Sequence, residues 1–407
     1  MTRSRPFALV LVLAAGCGTN DRAEPGTCGT TNSGMGVLKD FTPPCDPGPS
    51  GITFSASGEV LALGGYRFPP ASPNDVAFVD GWDITYDRVL TTFDKVTLSD
   101  NPDKSPTDQS QTGAVIAEID GPFAVDLHKG GSLAGKGGGD EQAVPVASIN
   151  GRNKQSGNPA LDPTVRYAFG FDIISATAAA KNINLDAADL ADYQEMITKG
   201  YTTLLVGTAV WKGDSTCTST IAGYDFTKIP KTVKFRLGLT APTSYVNAQN
   251  PENDPAAPFA NEEHQRGVQT TQNAVTVAQV TFHLDHVFWE SFVHDSPAHF
   301  DQFAATKAGM TGVPTVTMED VKARPFTPFV DALQQPLPWR TCLATYTPPV
   351  TTGAMKFDTL SVPVNPTGDP HSVMRDFFDY TLYNHSTFGH LNSDGLSFVQ
   401  RNYASPP

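Results

Sequence analysis

Histidine carries the strongest chemical signal in the chain. There are nine, and four of them (His283, His286, His294 and His299) fall within one stretch of seventeen residues, where even spacing would place fewer than one. With two residues on either side the stretch reads TFHLDHVFWESFVHDSPAHFD and interleaves imidazoles with Asp285, Glu290, Asp295 and Asp301. On a strand ending here, Thr281, His283 and Asp285 share one face, opposite Phe282 and Leu284. If a helical turn follows Asp285, then His286, Glu290 and His294 lie at i, i+4 and i+8 on one face, and His299 enters the next helix. Imidazoles and carboxylates converging this way suit a divalent transition metal, with His283, His286, Glu290, His294 and His299 as candidate ligands. Asp295 and Asp301 are candidates to orient the imidazole N–H groups from behind. Glu290 is also the candidate general base beside a metal-bound water, should the site be catalytic. The competing structural reading makes these histidines turn and cap residues that knit the chain together.

Other residues carry weaker signals. His385 and His390 sit five apart in NHSTFGHLNSDG, near Tyr380 and Tyr383, and are secondary candidates to complete the same metal site. There Asp394-Gly395 reads as a turn. His371 belongs with His385 and His390 in this weaker group, whose alternatives are a second metal site or loop anchoring, while His128 reads as a turn residue. The run Gly130 to Gly137 approaches a P-loop but lacks the Ser or Thr after Lys136, and reads as a flexible loop. Acidic clusters at Asp100 to Asp108 and Asn250 to Asp254 offer oxygen ligands for Ca, without EF-hand spacing, and read equally well as solvated loops. No HExxH or GxSxG motif is present. Trp289 lies inside the histidine segment, where it either packs in the core or walls off a site.

The elements that must position these residues are mostly strands. Ile52 to Leu63, Val76 to Leu98, Val115 to Leu127 and Val165 to Ile174 are short apolar runs between turn residues. Val233, Phe235, Leu237 and Leu239 alternate with Lys234 and Arg236 at period two, and Val280, Phe282 and Leu284 repeat the pattern. The expectation is a mainly β fold, an antiparallel β-sandwich with one packing helix. That helix has Asp186 as N-cap, an apolar stripe of Leu190, Tyr193 and Ile197, and Gly200 at its end. Its acids Asp189, Asp192 and Glu195 are expected on a solvated face. After residue 285 the pattern changes to a smaller helical and irregular cap. One helix there starts at Ser296-Pro297; another starts at Asp369-Pro370 and carries Val373, Phe377 and Tyr380 on one side. Residues 37–285 are thus expected to form the sandwich and 286–407 the C-terminal region packed on it.

Composition narrows the class further. The 407 residues carry a formal charge of −14, only 17 % are charged, and Gly and Pro number 35 and 33. An acidic chain repels phosphates, which excludes a nucleic-acid partner, and the Gly and Pro content disfavours helical bundles. The N-terminus reads MTRSRPFALVLVLAAGC, with Arg3 and Arg5 before a nine-residue apolar run. As a helix that run spans only ~14 Å, short of the ~30 Å needed to cross a membrane, so residues 1–16 are expected to be a secretory signal. The ending Leu13-Ala14-Ala15-Gly16-Cys17 resembles the lipobox of bacterial lipoproteins. That resemblance covers residues 1–17 alone. It implies lipidation of Cys17 and a membrane partner through the lipid, and, with Gly18 rather than Asp next, an outer-membrane or cell-surface location. Residues 17–36, nearly without apolar side chains, would be a flexible tether. Four further cysteines in an exported chain suggest two disulfides, with Cys28–Cys45 and Cys217–Cys342 the favoured pairing of three.

The favoured function is therefore an exported, lipid-anchored protein that binds Zn, Cu(II) or Fe and exchanges it with a transport or redox partner. The scarcity of Met and the absence of free thiols argue against Cu(I). A metal-dependent hydrolase or redox enzyme with Glu290 as base, and a non-catalytic surface binding module, are the alternatives; a non-enzymatic role is preferred.

Overall fold

The computed structural model describes residues 26–27, 38, 44–137, 142–253, 259–260, 262–347 and 368–406. The signal segment, Cys17, most of the tether and Cys28 lie outside the described residues, so the Cys28–Cys45 pairing does too. The strands used below are β1 (Ile52–Ser57), β2 (Trp82–Ser99), β3 (Val115–Ile119), β4 (Phe123–Asp126), β5 (Gln142–Ile149), β6 (Arg166–Ile173), β7 (Thr203–Trp211), β8 (Thr232–Leu239), β9 (Thr243–Val246), β10 (Thr276–Phe282), β11 (Thr315–Thr317), β12 (Gly389–Leu391) and β13 (Phe398–Arg401). The helices are α1 (Glu59–Gly64), α2 (Ala187–Lys199), α3 (Asp301–Ala304), α4 (Met318–Val321) and α5 (Phe377–His385).

Two sheets face each other as the alternation predicts. The larger runs β11-β8-β7-β2-β6-β9-β13, with β3 and β4 also paired to the long strand β2. The smaller runs β12-β10-β1-β5 and ends on the two-residue strand Leu133–Ala134. Pairing is mostly antiparallel; β8 with β11 and β1 with β10 are parallel. Inward rings close the space between the sheets: Phe54 of β1 packs on Phe169 of β6 at 5.9 Å, and Phe282 of β10 meets Phe93 of β2 and Phe171 of β6, each at 6.3 Å. Such aromatic contacts supply large buried apolar areas and define the sandwich core. The fold is therefore mainly β, as expected. Gly207, where the β7–β2 register shifts, has no room for a side chain, because a Cβ there would lie 2.1 Å from the Thr85 carbonyl oxygen.

The packing helix α2 also follows its sequence signals. Asp186 caps it, accepting from the Ala188 and Asp189 amides, and Gly200 ends it in the left-handed conformation. Leu190, Tyr193 and Met196 bury against Leu90, Ala124 and Leu204 on the outer face of the large sheet. The acids are a correction to the expected solvated face: Asp189 is buried against Arg88 and Lys129, while Asp192 and Glu195 bind Arg236. The polar residues that alternate out of β2 and β8 are their partners.

The C-terminal region departs further from expectation. Residues 286–407 supply β11 and β13 to the large sheet and β12 to the small one, so the sheets continue across the expected boundary near 285. The helix expected from Ser296 begins only at Asp301 and is four residues long. The helix expected from Asp369 is a single 3-10 turn at Pro370–Ser372, and α5 starts anew with Asp376 as its cap, leaving Val373 exposed. The disulfide Cys217–Cys342 is present and ties together segments 125 residues apart. Among the described residues, no helix is long and apolar enough to cross a membrane.

Candidate metal centre

Four histidines meet at one end of the small sheet. One ring nitrogen from each of His283, His286, His294 and His390 lies within 4.8 Å of the other three. Register explains the first pair: His390 on β12 stands opposite Thr281 on β10, and His283 follows Thr281 by two, on the same side. Diagonal cross-strand neighbours are in reach of one another, and the two rings stack at 4.2 Å. His283 then caps a 3-10 turn, Leu284–Phe288. Residues three apart eclipse in that geometry, which sets His286 above His283, with the rings 5.5 Å apart.

His294 arrives differently. The chain turns extended at Trp289 and makes a loop pinned by the Trp289–Ala298 bridge, by Glu290 N–H to the Pro297 carbonyl, and by a 2.6 Å Ser291–Ser296 hydroxyl contact. Asp295, at φ 59°, turns the loop tip, and His294 reaches back to within 6.3 Å of the His286 ring. The helical phasing expected after Asp285 is therefore absent. That moves Glu290 out of the group and corrects its assignment as ligand and as base at this centre. The Glu290 carboxylate instead accepts from His299 Nε2 at 2.7 Å and from the Tyr346 hydroxyl at 2.5 Å. His299 likewise belongs to this second, buried group, with Nδ1 3.7 Å from Asp80. His385 is buried against Phe388 and stands outside the four, whereas His390, the other secondary candidate, is one of them.

Hydrogen bonding fixes which nitrogens are available. Thr387 gives its hydroxyl proton to the Asn384 carbonyl, so its oxygen accepts from His286 Nδ1 at 2.9 Å. His286 Nε2 then carries the lone pair and has no hydrogen-bond partner among the described residues. His283 Nε2 donates to the Ser393 carbonyl at 2.9 Å, which turns Nδ1 to the group. Both nitrogens of His390 also lack a hydrogen-bond partner among the described residues while buried, and His294 Nε2 meets the Asp394 carboxylate at 3.0 Å. Buried polar atoms are rarely left so, and four convergent imidazole lone pairs are what a transition metal needs. The donors fit such an ion. The Trp289 ring covers His286 at 3.6 Å, its indole N–H held by Asp285 at 2.8 Å. It thus walls the group, as well as packing in the core.

The electrostatics divide the four. Burial, reinforced by the neighbouring histidines, drives His286 and His390 well below the usual imidazole range, so both are neutral donors. Burial also opposes a charge on His283, but the hydrogen bond and charge of Glu59 lift it to about 9. The Asp394 hydrogen bond raises His294 against the effect of burial. Metal capture at neutral pH must therefore release protons from these two.

The remaining sequence candidates are engaged elsewhere. Asp301 binds Arg340 and accepts from the Trp82 indole at 2.7 Å, so it orients no imidazole; Asp295 does lie near His294, 3.6 Å from Nδ1. His371 is held between Asp369 and the Tyr403 carbonyl, and His128 by the Ala62 carbonyl. Lys136 of the glycine-rich loop pairs with Glu252 at 2.5 Å. In the acidic loops proposed for Ca, Asp103 pairs with Arg166, and Asp108 binds its own loop at Ser110 and Gln111. Sequence reasoning missed Glu59, Tyr346, Asp80 and the role of Asp394. Only Asp394 had a usable signal, four residues after His390 in a turn.

No protein-family model matches the chain, and neither curated proteins nor solved structures give a match.

Proposed function

We propose that the chain is an exported metal-binding protein, anchored by lipid at Cys17, that holds one divalent transition ion (Zn, Cu(II) or Fe) at His283, His286, His294 and His390. The observation that carries this reading is the convergence of four imidazoles, His286 and His390 buried and His283 and His294 half-buried, in which His286 Nε2 and both His390 nitrogens have no hydrogen-bond partner among the described residues. The Cys217–Cys342 disulfide supports export, since such bonds persist in oxidising compartments. A net negative chain favours cation encounter, and the half-buried His283 and His294 leave the centre approachable from solvent, as exchange with a transport or redox partner requires. Enzymatic use of Glu290 loses its support, because that carboxylate is occupied by His299 and Tyr346.

Elemental analysis of the purified protein after loading and desalting is expected to give one metal ion per chain. The His286→Ala/His390→Ala double variant, folded by circular dichroism, is expected to retain essentially none. Stoichiometric metal in that variant would sink the assignment.

A further inference from the structure

Three of the four nitrogens face one carboxylate oxygen. Asp394 Oδ1 is buried in an ion pair 3.0 Å from His294 Nε2, and lies 3.7 Å from His390 Nδ1 and 4.0 Å from His283 Nδ1. Donors about 2.1 Å from a common ion, the usual zinc–nitrogen or zinc–oxygen distance, stand ~3.0 Å apart at right angles, ~3.6 Å apart at 120° and at most ~4.2 Å apart across the ion. The three Asp394 distances fall inside that range. The spread of up to 4.8 Å among the four nitrogens exceeds that limit by ~0.6 Å, so the rings must close by about that much around an ion.

The turn that delivers Asp394 is fixed. Leu391 and Gly395 exchange backbone hydrogen bonds, Asn392 sits at φ 60°, and a Cβ on Gly395 would lie 2.0 Å from the Gln249 carbonyl oxygen. Asn392 anchors the turn further, its side chain accepting from the Gln279 amide at 3.1 Å and donating to Asn250 at 2.7 Å. An oxygen held this rigidly beside three of the four imidazoles has the placement of a ligand.

We infer that Asp394 is the fifth ligand of this centre, which makes it a five-coordinate four-nitrogen, one-oxygen site rather than a closed tetrahedral one. The inference rests on the four-histidine reading above. The anionic oxygen makes the donor set harder and offsets part of the ion's charge, favouring Cu(II) or Fe(II) over Cu(I). In the metal-free protein the same oxygen pairs with His294, so uptake exchanges an ion pair for a coordination bond.

Co(II), whose d–d absorption is weaker in five-coordination than in four-coordination, is the probe. Wild-type protein, Asp394→Asn and Asp394→Ala are titrated with Co(II) and then competed with Zn(II), after circular dichroism has shown the metal-free folds to match. The expected result is one Co(II) per chain in all three, a stronger d–d band in Asp394→Ala, and Zn(II) affinity lower by about 10- to 100-fold. Asp394→Asn is expected to fall between, since an amide oxygen is a poorer donor. Unchanged bands in Asp394→Ala would overturn the ligand assignment even if affinity fell, because a residue that only orients His294 weakens binding without altering coordination number. Failure of the wild type to bind Co(II) or Zn(II) would instead refute the four-histidine centre, and this inference with it.

Discussion

Burial acts on every histidine in this region, and the partner decides the outcome. At His286 and His390 burial wins: the Asp394 charge, 3.7 Å from His390 Nδ1, is outweighed by the loss of hydration and by His283, so both are neutral and available as donors. His299 is equally buried, but Glu290 and Asp80 flank it and hold its pKa up to about 9. Raised above the ordinary value near 6.5, its ion pairing contributes stability that is fully present below about pH 6.5 and is lost as pH rises through 9. The shift corresponds to ~3 kcal/mol. Chelator-treated wild type should therefore be more stable than His299→Gln at pH 6, with the gap in unfolding free energy narrowing steadily up to pH 10. A pH-independent gap in denaturant titrations would show that His299 is not charged in the fold. Working with the difference between the two proteins removes the contribution of His283, which titrates in the same window.

At the scale of elements, α2 tests whether a cap read from sequence has the expected energetic weight. The Asp186 carboxylate satisfies two orphan amides and also meets Lys129 at 2.8 Å, while the Asp189 carboxylate accepts from the Asp186 amide at 2.9 Å. Asp186→Ala should cost about 1–2 kcal/mol in urea unfolding; a loss below a few tenths would mean that Lys129 and the packing stripe hold the helix without its cap. This helix was legible because its cap, its stripe and Gly200 are local signals. The strands were legible for a related reason, since alternation in Thr232–Leu239 records which face is buried without reference to partners. Positions set by distant segments were not legible. A 3-10 turn and a helical turn begin with the same residues, so nothing after Asp285 could show that Trp289 would turn extended and carry Glu290 away from His286 and His294. His390 was recognised only as a secondary candidate because its placement depends on the β10–β12 register, across more than a hundred residues. The acids of α2 were assigned to solvent because Arg88 and Arg236 lie on strands far away in sequence.

Those distant pairings are general in this molecule. Both sheets are assembled from the two ends of the described chain: β1 lies against β10 and β10 against β12, while β9 joins β6 to β13. Such topologies give up much chain entropy before their contacts form, so a covalent link across the fold has a large unfolded ensemble to restrict. Cys217–Cys342 closes a loop that contains β8, β9, β10 and β11 and three of the four site histidines. Its sulfurs pack where Gly81 and Gly213 leave space, since a Cβ at either glycine would come within 2.7 Å of the Cys342 Sγ. On either side of Cys342 the chain carries Arg340, which binds Asp301, and Tyr346, which binds Glu290. Replacing both cysteines by serine should therefore lower the unfolding free energy by about 2–5 kcal/mol, the range seen for removal of native disulfides. In denaturant titrations the midpoint should fall accordingly, while metal stoichiometry at neutral pH persists, because none of the four histidines depends on the bridge for a hydrogen bond. An unchanged midpoint would mean that the sheets alone restrict the chain. Loss of metal from a variant that is still folded would mean that the bridge, and not the β10–β12 register, sets the geometry of the centre.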